Sequence, residues 1–217
     1  MLSVAHINWA EALNTTLGFW QHKAQGSASI LCLQEILHGQ LLDLLSALSS
    51  ADRTGVIKPL DGPRDDGETK GEYSPILYPA KLFNLLHYEI VWLSPTPDQP
   101  SKGWDADSIL ILIVAVLEHV QTTQNLVAGN THLDNEGSQS RQESIKIILS
   151  TIKRVHAAWS KGSSLRVFLA EDFNSFTTQE AFITMKESGY MVDTRDEVQK
   201  QDRYGVIITF TGFEPDK

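Results

Sequence analysis

The sequence has little that would staple, anchor or coat. Cys32 is the single cysteine among 217 residues, so an internal disulfide framework is excluded. Its place in the apolar run Ile30-Leu31-Cys32-Leu33 fits a buried thiol in a reducing compartment. Long hydrophobic runs are missing too. The longest, residues 109–117, is far too short to cross a bilayer and ends in Glu118. The opening Met1-Leu2-Ser3-Val4-Ala5-His6 has neither the basic nor the apolar region of a secretory signal, so a cytoplasmic location is expected. Basic residues are scarce, 18 against 27 acids, giving a net charge of −9 and a pI near 5.2. That balance excludes broad, sequence-independent coating of nucleic acid. It leaves room for chemistry on phosphate groups, because bound divalent cations reverse the local field, and carboxylates suit hard cations such as Mg²⁺.

What is present is the composition of one ordinary globular domain, expected over residues 1–217, with 41% hydrophobic and 21% charged residues. Strands are expected at 2–7, 29–33, 56–57, 71–78, 82–93, 109–116, 126–132, 165–170 and 206–210. Helical spacing of apolar residues marks Leu13, Leu17, Trp20 and Ala24, and again Leu41, Leu42, Leu44, Leu45 and Leu48. Two capping boxes, Ser140 with Glu143 and Thr177 with Glu180, are expected to open two further helices. The loop Asp61-Gly62-Pro63-Arg64-Asp65-Asp66-Gly67 is expected to be exposed and mobile. The polar turn 121–125 makes its flanking strands an antiparallel pair. Many strands with helices between them favour two packed sheets flanked by helices.

The organising stretch is Val167-Phe168-Leu169-Ala170-Glu171-Asp172-Phe173-Asn174-Ser175, a buried strand that ends abruptly in polar groups. Chemistry in open α/β sheets gathers at such carboxyl ends of strands. Asp172 and Asn174 lie two apart and, on extended backbone, point to one side. A carboxylate beside an amide can take a proton from water and hold an oxyanion or phosphate oxygen. Other expected strands end at Asn8, Glu35 and His132. Each alone has a plainer explanation: Asn8 as a helix cap, Glu35 as a solvated strand end, His132 as a hydrogen-bonded structural histidine. Together at successive strand ends they are expected to converge on one cleft.

In order along the chain stand Asn8; Leu33-Gln34-Glu35; Gly71-Glu72-Tyr73-Ser74-Pro75-Ile76-Leu77-Tyr78; Trp92-Leu93-Ser94; Gly103-Trp104-Asp105-Ala106; Asn130-Thr131-His132-Leu133-Asp134; Asp172-Phe173-Asn174-Ser175; and Thr209-Phe210-Thr211-Gly212. This series resembles the endonuclease/exonuclease/phosphatase superfamily, the deoxyribonuclease I-like group. The resemblance implies a four-layer α/β sandwich of two packed mixed β-sheets flanked by helices. It also implies metal-dependent hydrolysis of a phosphate ester with Mg²⁺ or Mn²⁺. By the same resemblance Glu35 is the metal ligand, and Asn8 a nearby amide for metal or phosphate. Glu72 and His132 form a carboxylate–imidazole pair. Asp172 orients or deprotonates the attacking water, with Asn174 as its substrate-binding partner. The substrate could be a small molecule, a lipid headgroup or nucleic acid.

Two departures from the family pattern stand out. Glu171 occupies the position where the family usually has Gly. The family also continues into an Arg-Ile-Asp-x-Ile strand and a final Ser-Asp-His, which complete the metal and phosphate site. The sequence reaches Lys217 before either, so a truncated or degenerate member is expected, with weak metal binding and low turnover. The alternative to a phosphoesterase is a non-catalytic protein that binds a phosphate ligand or a partner on the same scaffold.

Overall fold

The computed structural model describes residues 29–51, 57–66, 70–160, 165–199 and 201. The strands expected at 2–7 and 206–210, the helix through Leu13 to Ala24, and Asn8 lie outside these described residues. In chain order the elements are β1 (Leu31–Cys32), α1 (His38–Ala51), β2 (Ile57–Leu60), β3 (Ile76–Pro79), β4 (Phe83–Trp92), β5 (Ile111–His119) and β6 (Asn125–His132). Then come α2 (Ser138–Ser160), β7 (Arg166–Asp172), α3 (Glu180–Glu187) and α4 (Thr194–Glu197).

The strands form two sheets, one ordered β1-β3-β2 and the other β4-β5-β6-β7. Pairing in the first is antiparallel, whereas the second is mixed, because β6 and β7 run parallel. The β5 run explains how the layers stack. Its successive side chains point to opposite faces. Leu112, Val114 and Val116 join Ile145, Ile148 and Ile152 of α2 in one core. Ile111, Ile113, Ala115 and Leu117 join Ile76 and Tyr78 of β3 in a second core between the sheets. A third core packs Leu41, Leu44 and Leu48 of α1 against Leu77. The order is therefore helix, sheet, sheet, helices: a four-layer sandwich. Burial on both faces is why β5 reads as unbroken apolar sequence, each such side chain contributing roughly 1.5–3 kcal/mol.

Three local expectations need correcting. Ser140 does not cap α2. The helix begins at Ser138, and Asp105, far away in sequence, accepts the backbone N–H groups of Gln139 (3.2 Å) and Ser140 (2.7 Å). Glu143 instead pairs with Lys146 at 2.6 Å. Likewise α3 starts after Gln179, whose side chain makes no cap bond, and Glu180 is bound to Arg141 at 2.6 Å. In both cases a tertiary partner displaced the local one. The loop from Asp61 is also less free than its composition suggests: Gly62 and Pro63 are buried, and Pro63 bridges to Tyr73.

Candidate active site

The site lies where the two sheets meet at one rim. Period-two alternation decides which β6 side chains face the first sheet. Ala128 belongs to the inter-sheet core, so Asn130 and His132, two and four residues on, face the same way. On β7, Phe168 marks that face, and Ala170 and Asp172 follow it. His132 and Asp172 are direct neighbours in the parallel register. From the opposite sheet, β1 delivers Glu35 just beyond its end, and Glu72 stands shortly before β3.

The side chains meet around His132, which is only 10% exposed. Its Nε2 lies 3.2 Å from Glu35 Oε1, and its Nδ1 lies 3.9 Å from Glu72 Oε2, longer than a hydrogen bond. Asn174 Nδ2 donates to the Leu133 carbonyl at 2.8 Å and stands 2.8 Å from His132 Nε2. The Leu133 bond fixes that atom as the amide nitrogen, which places its second hydrogen towards His132 Nε2, while Nδ1 faces Glu72. Asp172 Oδ1 accepts the backbone N–H of Asn174 at 2.9 Å. Extended backbone is not what aligns these two residues. Asn174 has φ 45°, and the chain turns there instead of running on. Glu35 too is left-handed, at φ 58°. Such conformations cost about 1–3 kcal/mol unless surroundings enforce them, and here they sit at site residues.

The Asn174 turn is held by its own bonds to Leu133 and Asp172, and the chain before Glu35 by a buried polar clamp that the sequence pattern did not single out. Asn130, fully buried, reaches from β6 across to the first sheet. Its Nδ2 lies 2.7 Å from the Leu33 carbonyl, 2.9 Å from that of Ser74 and 3.0 Å from that of Pro75. Its Oδ1 accepts from Gln34 Nε2 at 2.7 Å. One side chain thus ties the segment before Glu35 and the segment after Glu72 to the strand carrying His132. Its position two residues before His132, on the same strand face, was the available signal.

The loop beyond His132 is held by Asp134. Its Oδ1 accepts from Glu136 N (3.0 Å) and Gly137 N (2.7 Å), and its Oδ2 from Asp107 N (2.9 Å) and Ser108 N (3.0 Å). Burial by itself would raise this carboxyl's pKa; the four backbone donors outweigh it and hold the group below the usual carboxylate range. Glu171 points the other way, with Val167 and Leu169, towards the helical layer. Burial first, then the charges of Asp193 and Asp172, push it up to about 8.

Glu35 offers a carboxylate oxygen of the kind a hard cation takes, and its Oε1 lies 3.2 Å from His132 Nε2. The Glu35 side chain is 38% exposed, open to water and ligand oxygens. Among the described residues no group of three His, Cys, Asp or Glu side chains is arranged to hold a metal. Asn8, the other expected contributor, lies outside the described residues.

Sandwich and rim site together define a deoxyribonuclease I-like protein. No family model matches the chain, and no curated protein matches it. Solved structures do. A mannosyl-6-phosphatase of Bacteroides thetaiotaomicron is 28% identical, with a TM-score of 0.77, over 87% of this chain and 66% of that one. An endonuclease/exonuclease/phosphatase from Bacteroides vulgatus is 28% identical, with a TM-score of 0.71, over 83% of this chain and 64% of that one. D. rerio TDP2, complexed with a single-strand DNA product, shares the fold at 19% identity and TM-score 0.56, over 80% of this chain and 57% of that one. Its fold is thus that of solved endonuclease/exonuclease/phosphatase proteins, with 28% sequence identity to those from Bacteroides. It spans 66% and 64% of the length of the two Bacteroides chains. No helix among the described residues is long and apolar enough to cross a membrane.

Proposed function

We propose that the protein is a phosphoesterase whose chemistry is carried by Glu35, Glu72, His132, Asp172 and Asn174. The observation that carries this reading is their direct linkage around one imidazole: 3.2 Å to Glu35, 3.9 Å to Glu72 and 2.8 Å to Asn174, which in turn binds Asp172. Asp172 Oδ1 is engaged by backbone. Its other oxygen has no protein hydrogen bond among the described residues, and it is the acceptor for a proton of the attacking water. The Asn174 amide and the His132 ring line the place where the phosphoryl group would sit, next to Asp172. Glu72 orients the ring from its Nδ1 side.

Glu35 would hold a divalent cation, Mg²⁺ or Mn²⁺, together with substrate oxygens. Such an ion would polarise the phosphoryl group and stabilise the leaving oxygen. The mannosyl-6-phosphatase likeness makes a sugar phosphate the first substrate class to test. The net charge of −9 disfavours long nucleic acid as the substrate.

The test measures phosphate release from hexose 6-phosphates and from p-nitrophenyl phosphate, with Mg²⁺, with Mn²⁺ and with chelator. Turnover should require the divalent ion and fall by at least ~10²-fold in Asp172→Asn. Turnover that survives both chelation and Asp172→Asn would overturn the mechanism. Saturable phosphate binding without turnover would favour a non-catalytic ligand-binding protein instead.

A further inference from the structure

Arg64 belongs to the segment whose composition suggested an exposed loop, yet its side chain is only 17% exposed. Its Nη1 binds Glu72 Oε2 at 2.8 Å, and that same carboxylate oxygen is the one 3.9 Å from His132 Nδ1. Nη2 donates to Ser108 Oγ at 3.4 Å, on the loop that Asp134 clamps through the Ser108 N–H. Nε, buried and without a hydrogen bond, stands 3.6 Å from Asp65 Oδ1. The backbone is pinned as firmly. Arg64 N donates to the Glu72 carbonyl at 3.3 Å, and the Arg64 carbonyl accepts from Trp92 Nε1 at 3.0 Å. Gly71 makes room for this. It has φ 89°, and a Cβ there would meet Arg64 Cγ at 2.9 Å and the Asp65 carboxyl at 2.7 Å.

We propose that Arg64 is a positioning residue that fixes the Glu72 carboxylate, and through it the His132 ring, for phosphoester chemistry. This rests on the phosphoesterase reading above. A carboxylate at 3.9 Å from an imidazole swings freely unless something else holds it, and the planar guanidinium fork holds it from behind. Binding Ser108 with the other nitrogen ties that orientation to the 103–108 loop, which Asp134 holds beside His132. A lysine reaches one of these partners and not both. Arg64 acts through Glu72: its side chain is mostly buried, with Nη1 on the Glu72 carboxylate and Nη2 on Ser108.

The experiment compares Arg64→Met, Arg64→Lys, Glu72→Gln and the double variant Arg64→Met/Glu72→Gln. It uses steady-state hydrolysis of a phosphate monoester, with ¹⁵N-histidine NMR in parallel. Arg64→Met should lower kcat roughly 10-fold with KM changed by less than about 2-fold, because the geometry of an attached group is lost and binding is not. Arg64→Lys should restore part of kcat. The double variant should be no slower than Glu72→Gln alone. In the NMR spectrum the His132 Nδ1 resonance, assigned with His132→Gln, should move in Arg64→Met as it does in Glu72→Gln. A merely structural arginine would leave that resonance in place. Multiplicative losses in the double variant, or a raised KM at unchanged kcat, would overturn the proposal. If the wild-type chain shows no turnover, the phosphoesterase reading fails by itself, and the His132 resonance still decides the role of Arg64. Should Arg64→Met not fold, judged by circular dichroism, Arg64→Lys carries both readouts.

Discussion

Replacing Asn130 by leucine removes the clamp between the sheets while keeping volume close to constant. The Asn130 amide has two hydrogens for three carbonyls, those of Leu33, Ser74 and Pro75, so about two hydrogen bonds are lost at a time. With no donor in place of each, about 1–2 kcal/mol is lost per carbonyl left buried. Gln34 loses its acceptor too, but its side chain can turn to water. The sum is about 2–4 kcal/mol, a large share of the 5–15 kcal/mol typical of a domain. For a chain of this size that lowers the melting temperature by roughly 4–16 °C. Thermal unfolding followed by circular dichroism reads the change. Thr131→Val is the control, because the Thr131 hydroxyl makes a single buried bond, to the Ile111 carbonyl at 2.9 Å. It should cost no more than about 1–2 kcal/mol. A melting temperature of Asn130→Leu within 1–2 °C of wild type would refute the reasoning, because the clamp would then hold nothing.

Three further outcomes follow from the same contacts. Asp134→Asn exchanges a carboxylate bound by four backbone donors for an amide that must aim two hydrogens at donors, and should cost about 3–5 kcal/mol. Because the folded pKa of Asp134 lies below its ordinary value, its contribution is present above pH ~4 and fades as pH falls towards the folded value; Asp134→Asn should flatten that acid limb in urea titrations. Glu171 behaves oppositely. Its folded pKa, about 8, exceeds the ordinary ~4.3, so the fold favours the protonated form and loses stability as pH rises between those values. Glu171→Gln should therefore raise the melting temperature more at pH 8 than at pH 5, and an equal gain at both would show that the carboxyl is ionised without penalty. Finally, Gly71→Ala should displace Arg64 and Asp65 and lower kcat as Arg64→Met does; a variant with wild-type kcat would show that the 2.7–2.9 Å contacts relax harmlessly.

The elements built on apolar burial were legible in the residue pattern alone. The unbroken run of β5, the alternation along β6 and the helical stripe of α2 are periodic signals, and burying apolar area on one or both faces leaves each one conformation to adopt. Period two also placed His132 and Asp172 on one face of their strands. It could not say that Glu35 and Asn174 would sit on left-handed backbone; Asn adopts it readily, but Glu35 needs help to hold it. That help comes from partners far along the chain. The Asn130 clamp reaches back 97 residues to the Leu33 carbonyl, and Asp105 caps α2 in place of the local Ser140. Arg64 is the clearest instance. Among Gly, Pro and Asp it reads as solvent-facing, because its local partner Asp65 is itself exposed. Only when the first sheet brings Glu72 alongside, and the 103–108 loop brings Ser108, does the guanidinium have partners enough to leave water. Apolar burial is legible from spacing because it is non-directional and additive. Polar positioning is not, because a hydrogen bond needs both partners at one place, and the fold alone decides which two those are.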